Sequence, residues 1–128
     1  MRTSRARRAG HADLEAALGN IALKPVRESL LIENPQDLPK VAGFLKDAEK
    51  YRLDMLSSVT AADYLTYLES VYHLYSTVHK SNHLTLRVRV GREDPKIPSL
   101  VSIYRGAEFQ ERNGYDLYGI FYENHPDL

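Results

Sequence analysis

The sequence contains no cysteine and no tryptophan among its 128 residues. Without cysteine the chain forms no disulfide, no cysteine-ligated zinc site and no iron–sulfur cluster of its own, so any redox centre that it serves belongs to a partner. Nucleotide-binding glycine loops and the nucleophile elbow of serine hydrolases are also missing from the sequence. Phosphate binding and serine hydrolysis therefore have no support in its motifs.

Long apolar runs are absent too. No stretch approaches the roughly 18 to 20 apolar residues that span a bilayer, and the arginine-rich start lacks the apolar core of a secretory signal. The hydrophobic content of 43%, the charged content of 27% and the formal net charge of +0 are those of one globular domain. A chain of this length is expected to bury a real core without covalent crosslinks.

Charge is balanced over the whole chain but not along it. Four arginines fall within the first eight residues, whereas Ala107 to Leu128 carries five acidic residues against the single Arg112. A short basic segment without interleaved aromatic residues is typical of a disordered tail. The sequence therefore predicts a flexible basic arm over residues 1–10 and one domain over residues 11–128.

Hydrophobic periodicity predicts the elements of an α+β domain. A short helix is expected over His11–Leu18, and a longer one over Pro35–Lys50, where Asn34 can act as the cap. Apolar residues and tyrosines at helical spacing predict a third helix over Gly106–Tyr118. Gly114 lowers the helical propensity within this last segment.

The strand signals lie between these helices. Short apolar runs at Ile21–Val26 and Ser29–Ile32 predict a hairpin, and a second hairpin is expected from Tyr67–Val78 and Leu84–Val90. In the last of these strands apolar side chains alternate with Thr85, Arg87 and Arg89, which predicts one buried and one exposed face. Ala61–Asp63 is predicted to be a turn and Gly91–Pro98 a loop. The expected fold is a single α+β domain with a mixed, mostly antiparallel sheet and helices packed on one face.

Histidines and tyrosines are the remaining candidates for chemistry. His79 and His83 are four residues apart, but they flank a predicted turn and lack a third ligand, so surface positions are favoured over a metal site. His73 is interpreted as a structural histidine. Several tyrosines gather ahead of the second hairpin turn, where they could stack on RNA bases or fill a protein interface. The net charge of +0 favours a protein partner.

The last third of the chain carries a family signature. The string ERNGYDLYGIFYENHPDL, at Glu111–Leu128, resembles the signature segment of the 30-kDa subunit of respiratory complex I, the NADH-quinone oxidoreductase of bacteria. Other segments resemble that family in the same order and at similar spacing: VYHLYS, LTLRVRV and IPSLVSIYRGAEFQER. The resemblance extends from about residue 12 to the end.

Carried over residue by residue, the resemblance gives a subunit interface rather than a catalytic, cofactor or metal site. Asn113 and Gly114 depart from the family, which has a glutamate and a helix former there. Family members also continue beyond this signature with an arginine pair and a long tail, so the chain is expected to lack that tail. The signature positions that the resemblance assigns to the interface are Glu111, Arg112, Tyr115, Asp116, Gly119, His125, Pro126 and Asp127.

The resemblance implies a cofactor-free, non-catalytic structural subunit. It would sit in the peripheral arm of a proton-translocating NADH:quinone oxidoreductase, on the cytoplasmic side of the cell membrane, and dock the 49-kDa-type subunit of the quinone module. FMN and the iron–sulfur clusters are expected in partner subunits. Two alternatives stay open: an equivalent subunit of a membrane-bound hydrogenase or related quinone- or ferredoxin-linked complex, and a free-standing RNA-binding α+β domain.

Overall fold

The computed structural model describes residue 18, residues 21–26 and residues 29–128. The predicted arm at residues 1–10 and nearly all of the predicted helix His11–Leu18 lie outside the described residues. Two helices, α1 and α2, and seven strands, β1 to β7, follow along the described part of the chain. Their bounds are β1 Leu23–Val26, β2 Ser29–Ile32, α1 Leu38–Asp47, β3 Met55–Asp63, β4 Tyr67–Tyr75, β5 His83–Gly91, β6 Lys96–Pro98, α2 Ala107–Tyr118 and β7 Phe121–Glu123.

Five strands form the main sheet, in the order β1-β2-β5-β4-β3, and β6 and β7 form a second, two-stranded sheet. Both predicted hairpins are confirmed, since β1 pairs antiparallel with β2 and β4 pairs antiparallel with β5. Strand β2 runs parallel to β5, with Leu30 opposite Leu86, and this pairing makes the sheet mixed. The predicted α+β class is confirmed.

Helix α1 forms where the sequence provides both a cap and an apolar stripe. Asn34 Oδ1 accepts a hydrogen bond from the Gln36 amide at 3.1 Å, and one 3-10 turn at Pro35–Asp37 leads into the helix. Four apolar residues on one side of α1 are buried. The helix ends at Asp47, three residues before the predicted Lys50, because Ala48 adopts an extended backbone with ψ 125°.

The core lies between one face of the main sheet and the helices. The apolar residues that alternate along β5 are each at most 8% exposed, as the pattern predicts, and Leu86 is fully buried. The buried side of α1 belongs to the same hydrophobic cluster as these β5 residues. The α1 members of that cluster are Leu38, Val41, Ala42 and Leu45.

Two predicted connections are wrong. Ala61–Asp63 is not a turn, because β3 continues through Asp63, which pairs with Leu68 of β4. Alanine and aspartate are depleted in strands, so the local signal favours a turn, and the long-range pairing with β4 overrides it. The predicted loop Gly91–Pro98 contains β6, which pairs in parallel with β7. A strand of three residues carries too short an alternation for its sequence to reveal it.

The sheet face opposite the core is also more buried than predicted. Glu69, on β4, is 1% exposed and accepts hydrogen bonds from Arg87 Nη1 at 2.7 Å and Arg89 Nε at 2.8 Å. Arg87 Nε also donates to Ser29 Oγ at 2.7 Å. The two arginines therefore lie over a buried carboxylate instead of pointing freely into solvent.

Candidate functional site

The signature segment folds back on itself as α2, β7 and a C-terminal turn. Gly119 ends the helix in the left-handed region with φ 76°, and its amide donates to the Tyr115 carbonyl at 2.9 Å. A residue without a Cβ adopts this conformation without strain, which accounts for glycine at this signature position. The chain then turns at once into β7, which pairs with β6.

Glu111 points inward and has a structural role. Its side chain is fully buried, where Oε1 accepts from Ser99 Oγ at 2.6 Å and Oε2 accepts from the Leu100 amide at 2.8 Å. Burial raises the pKa of this carboxyl, and the two hydrogen bonds partly oppose that shift. Glu111 thus fixes the turn that follows β6 against α2 and is not available to a partner.

Gly114 is the point where β7 meets α2. The helix runs unbroken through it, and a Cβ at this position would lie 2.6 Å from Tyr122 Oη. Tyr122 Oη in turn lies 3.0 Å from Ser70 Oγ of β4. The glycine at position 114 therefore makes room for a buried tyrosine, whereas the sequence suggested only a weakened helix.

The last residues are clamped onto the first turns of α2. The Asp127 amide donates to His125 Nδ1 at 3.0 Å, so the proton of the neutral ring is on Nε2, which donates to the Glu108 carbonyl at 2.7 Å. Arg112 forms an ion pair with the Asp127 carboxylate and donates to the Asp127 carbonyl through Nη2 at 2.8 Å. Asp116 lies one helical turn after Arg112, a spacing that allows an ion pair, but the long guanidinium side chain reaches Asp127 instead.

The outward side of α2 carries the exposed residues of the segment. At 100° per residue, Phe109, Asn113, Asp116 and Leu117 fall within an arc of about 100°; we call these four residues the α2 face. Phe109 is 70% exposed and Leu117 74% exposed, whereas Ala107, Glu111 and Gly114 on the opposite side are buried. Other exposed aromatic residues of the segment are Tyr115, Tyr118 and Phe121.

The predicted site residues thus divide into two groups. Five of them hold the segment together: Glu111 by burial, Gly119 as the helix cap, and Arg112, His125 and Asp127 in the C-terminal clamp. The side chains of Tyr115, Asp116 and Pro126 are exposed and take no part in these contacts. Phe109 and Leu117 were not among the predicted site residues. Their signal in the sequence is an aromatic residue and a leucine, eight positions apart, on the polar side of an amphipathic helix.

Two histidines outside the signature, His73 and His79, make ordinary contacts. His79 Nε2 lies 2.8 Å from the Glu49 carbonyl, and His73 Nδ1 lies 3.1 Å from Thr85 Oγ1. Within residues 18, 21–26 and 29–128, no group of three or more histidine, aspartate or glutamate side chains is arranged to hold a metal ion. In that same part of the chain, no helix has the length and apolar character needed to cross a membrane.

Fold and site together define a small α+β domain whose C-terminal segment builds a rigid helix and presents its outward face. The chain belongs to the family of the 30-kDa subunit of respiratory-chain NADH dehydrogenase, whose model matches residues 31–128. The resemblance recognised in the string Glu111–Leu128 is thereby confirmed.

Relatives from two bacteria are named as the corresponding subunit of NADH-quinone oxidoreductase. The chain is 32% identical over 113 residues to the subunit from Chloroherpeton thalassium, covering 88% of this chain and 47% of that protein. It is 38% identical over 132 residues to the subunit from Burkholderia multivorans, covering 91% of this chain and 64% of that protein. The chain thus spans about half to two-thirds of the length of these relatives.

Solved structures share the fold. A trypsin-resistant fragment of Nqo5, residues 1–134, matches with a TM-score of 0.62 and 27% identity, and each chain is covered in full. A chain of an archaeal membrane-bound sulfane sulfur reductase matches with a TM-score of 0.70 over 96% of this chain and 74% of that one. At 23% identity, the second match shows a common fold and nothing more.

Proposed function

We propose that this chain is a structural subunit in the peripheral arm of a proton-translocating NADH:quinone oxidoreductase, and that it docks the 49-kDa-type subunit through the α2 face. Membership of the 30-kDa subunit family supports the type of complex. The observation that carries the docking role is the exposure of Phe109 and Leu117 on the outer side of the signature helix. Large apolar residues at the centre of a polar surface are typical of protein interfaces.

The contacts inside the segment support this role because they fix the helix before binding. Glu111 ties α2 to the turn after β6, and His125 and Arg112 hold the C-terminal residues against the helix. A surface that is already ordered loses less conformational entropy when it binds than a flexible one. The buried signature residues thus contribute to docking indirectly, by orienting the exposed ones.

Charge indicates the chemistry of the surface that would bind there. Glu108 and Asp116 are exposed on α2, while the charge of Arg112 is offset by Asp127. The outer side of α2 is therefore apolar with acidic groups beside it. A complementary partner surface would place apolar side chains against Phe109 and Leu117 and a lysine or arginine near Asp116.

The redox chemistry of the complex would lie in other subunits. The chain has no cysteine to ligate an iron–sulfur cluster and no glycine-rich loop for a nucleotide. FMN and the clusters are therefore assigned to partners, and this subunit holds them in register while electrons pass from NADH to quinone. Its attachment to the cytoplasmic side of the membrane would be through the complex.

The docking role is tested by recovery of this chain with a tagged 49-kDa-type subunit. Leu117→Ser and Phe109→Ser change exposed side chains, so we expect folding to be kept and recovery to fall at least tenfold. Val78→Ser is the matched control, since Val78 is also exposed, at 53%, but lies in the connection between β4 and β5. Equal recovery of all three variants would rule out the α2 face as the docking surface.

Arg112→Ala tests whether the clamp matters for docking. We expect a small change in melting temperature and weaker recovery with the large subunit, because α2 would present its face less rigidly. Equal recovery at matched folding would leave Arg112 with a local structural role only.

The same purification distinguishes the type of complex. Flavin-containing NADH-oxidising subunits in the purified assembly support the proposal, whereas nickel–iron hydrogenase subunits would place the chain in a related complex. Salt-sensitive RNA binding by the isolated chain, without recovery of any membrane subunit, would favour the RNA-binding alternative.

A further inference from the structure

The tip of the hairpin between β3 and β4 presents an exposed leucine in a strained conformation. Leu65 has φ 69° and its side chain is 84% exposed. In the left-handed region the Cβ of an L-residue crowds the backbone, so glycine or asparagine is favoured and a branched apolar residue is rare. Strained residues that persist are concentrated at functional positions, where the surrounding structure holds them.

Specific contacts hold this tip in place. Asp63 Oδ1 accepts from the Leu65 amide at 2.9 Å, and the Tyr64 amide donates to the Tyr67 carbonyl at 2.9 Å. Asp63 also forms an ion pair with Arg92, which leads on from β5. The rings of Tyr64 and Tyr67 stack with their centroids 5.2 Å apart. Leu65 is thus a rigid projection rather than the end of a loose loop.

A positive group lies beside the tip. The Arg89 guanidinium is 5.0 Å from the centre of the Tyr67 ring, and its Nε donates to Glu69. Its two terminal amino groups have no hydrogen-bond acceptor among the residues that the structure describes. Arg87 and Arg89 share the single carboxylate of Glu69, whereas Arg92 pairs with Asp63.

Helix α2 runs along β3 towards this tip. Gln110 Oε1 accepts from the Val59 amide of β3 at 2.6 Å. One turn later Gly114 faces Tyr122, whose hydroxyl contacts Ser70, the residue paired with Ala61. The C-terminal end of the α2 face and the Leu65 tip therefore lie towards the same end of β3, where one large partner could contact both.

We propose that Leu65 is an anchor that inserts into an apolar pocket of a neighbouring subunit, with a carboxylate of that subunit at the pocket rim facing Arg89. Leu65 lies between Tyr64 and Tyr67 in the sequence, and Arg89 lies over the Tyr67 ring. The exposed apolar group is thus accompanied by tyrosine and arginine, which are enriched at the centres of interfaces. Because the tip is already fixed, binding orders little further chain. The proposal rests on the proposed function only in that the chain is a subunit of a larger assembly.

The absence of cysteine from the chain makes a direct footprint possible. A Leu65→Cys variant introduces a single thiol, and its rate of alkylation is compared in the isolated chain and in the complex purified through a tag on the 49-kDa-type subunit. We expect at least tenfold slower alkylation in the complex, with Val78→Cys as a control that stays reactive. Equal rates for the Leu65→Cys thiol in both samples would overturn the anchor.

The effect of salt on the same alkylation rate tests for a carboxylate at the rim of the partner's pocket. Raising the ionic strength screens an arginine–carboxylate contact at the edge of the pocket, so alkylation of the Leu65→Cys thiol in the complex should become faster at about 0.5 M salt, where screening is strong. Protection that is independent of salt would overturn the carboxylate partner.

A second pair of variants separates anchoring from strain. Leu65→Asn relieves the strain and removes the apolar anchor, whereas Arg52→Gly relieves similar strain at another exposed residue with φ 44°. We expect both to raise the melting temperature of the isolated chain, and only Leu65→Asn to be depleted from the complex. Full incorporation of Leu65→Asn would overturn the anchor.

The controls also separate this inference from the proposed function. Failure of the unmodified chain to enter any complex would refute both proposals. Normal incorporation of the unmodified chain, Arg52→Gly and Leu65→Asn would refute only the anchor.

Discussion

The buried carboxylate of Glu69 gives its two arginine neighbours a structural role. From the alternation of β5, Arg87 is expected at the surface, where its removal changes stability by less than about 0.5 kcal/mol. In the structure, Arg87 donates to a Glu69 side chain that is 1% exposed. Arg87 is therefore one of two partners of a buried charge, so the structure predicts a larger effect of its removal than the alternation alone does.

We expect Arg87→Ala to lower the free energy of unfolding by about 1–2 kcal/mol, since Glu69 keeps Arg89 but loses one charge-assisted hydrogen bond. Urea denaturation measures the change. Arg105→Ala, at an exposed position, is the control and should change stability by less than about 0.5 kcal/mol. Similar urea midpoints for the two variants would show that Arg89 alone satisfies Glu69.

The buried carboxyl group of Glu111 makes the stability of the fold depend on pH. Burial raises its pKa above the ordinary value of 4.5, so the unfolded chain loses this proton at lower pH than the folded chain does. Its contribution to stability is therefore fully present below about pH 4.5 and is lost as the pH rises through the folded pKa. Asp54 and Asp63 have lowered pKa values, so their contributions are lost in the opposite direction, as the pH falls below their ordinary value of 3.8.

Glu111→Gln removes the titration but also one acceptor oxygen. We expect the stability of this variant, relative to the unmodified chain, to improve as the pH rises from about 4.5 to 7. Urea midpoints at several pH values measure the difference, and Glu93→Gln, at an exposed position, controls for loss of a carboxylate. A difference that is constant over this range would contradict a raised pKa at Glu111.

At the scale of the elements, each helix contains one glycine, and the two glycines differ in the space around them. A Cβ at Gly43 of α1 would make an ordinary contact with Ile103 Cδ1 at 3.9 Å, whereas a Cβ at Gly114 of α2 would meet Tyr122 Oη at 2.6 Å. Alanine is favoured over glycine inside a helix by about 1 kcal/mol. Overpacking a tight site costs about 1–3 kcal/mol, which outweighs that gain at Gly114 but not at Gly43.

We therefore expect Gly43→Ala to stabilise the chain by about 0.5–1 kcal/mol and Gly114→Ala to destabilise it by about 1–2 kcal/mol. Thermal unfolding followed by circular dichroism measures both. Adding Tyr122→Phe to Gly114→Ala removes the nearest atom, so the double variant should lose less than the sum of the single changes. Stabilisation by Gly114→Ala would show that Tyr122 moves aside freely.

Elements with a local signal were predictable from the sequence. The cap Asn34 followed by Pro35 marks the start of α1, and the alternation from Leu84 to Val90 marks β5; both are confirmed. Strands β6 and β7 were not predicted, because each has three residues and is defined by pairing with a segment distant in sequence. The wrong turn at Ala61–Asp63 has the same cause, since pairing with β4 sets the end of β3.

The candidate site was predictable as a segment but not as a surface. The family resemblance located the segment Glu111–Leu128, but it did not show which of its side chains point into the core and which are exposed. Glu111 is a charged residue, a type usually found at the surface, yet it is buried. Phe109 and Leu117 are of types usually found in the core, yet they are exposed. Only the packing of α2 against β3 and β7 decides which side of the helix is exposed.

At the scale of the molecule, both sheets and both helices share one core. Leu86 of the main sheet, Ile97 of β6, Ala107 of α2 and Leu45 of α1 belong to the same buried cluster. A chain of this size with one continuous core is expected to unfold in a single cooperative transition. The proposed docking surface on α2 and the tip at Leu65 therefore depend on the same folding equilibrium as the central strands.

Leu86→Asp tests this dependence at the centre of the core. Leu86 is fully buried on β5 between β2 and β4, and a carboxylate there finds no solvent. Burying it without a partner costs several kcal/mol, a large part of the roughly 5–15 kcal/mol that stabilises a domain. We expect this variant to lose its cooperative transition in both far-ultraviolet circular dichroism and tyrosine fluorescence, while Leu117→Asp, at a side chain 74% exposed, unfolds like the unmodified chain. A Leu86→Asp variant that kept the tyrosine signal while losing only part of the strand signal would show that β6, β7 and α2 fold independently of the main sheet.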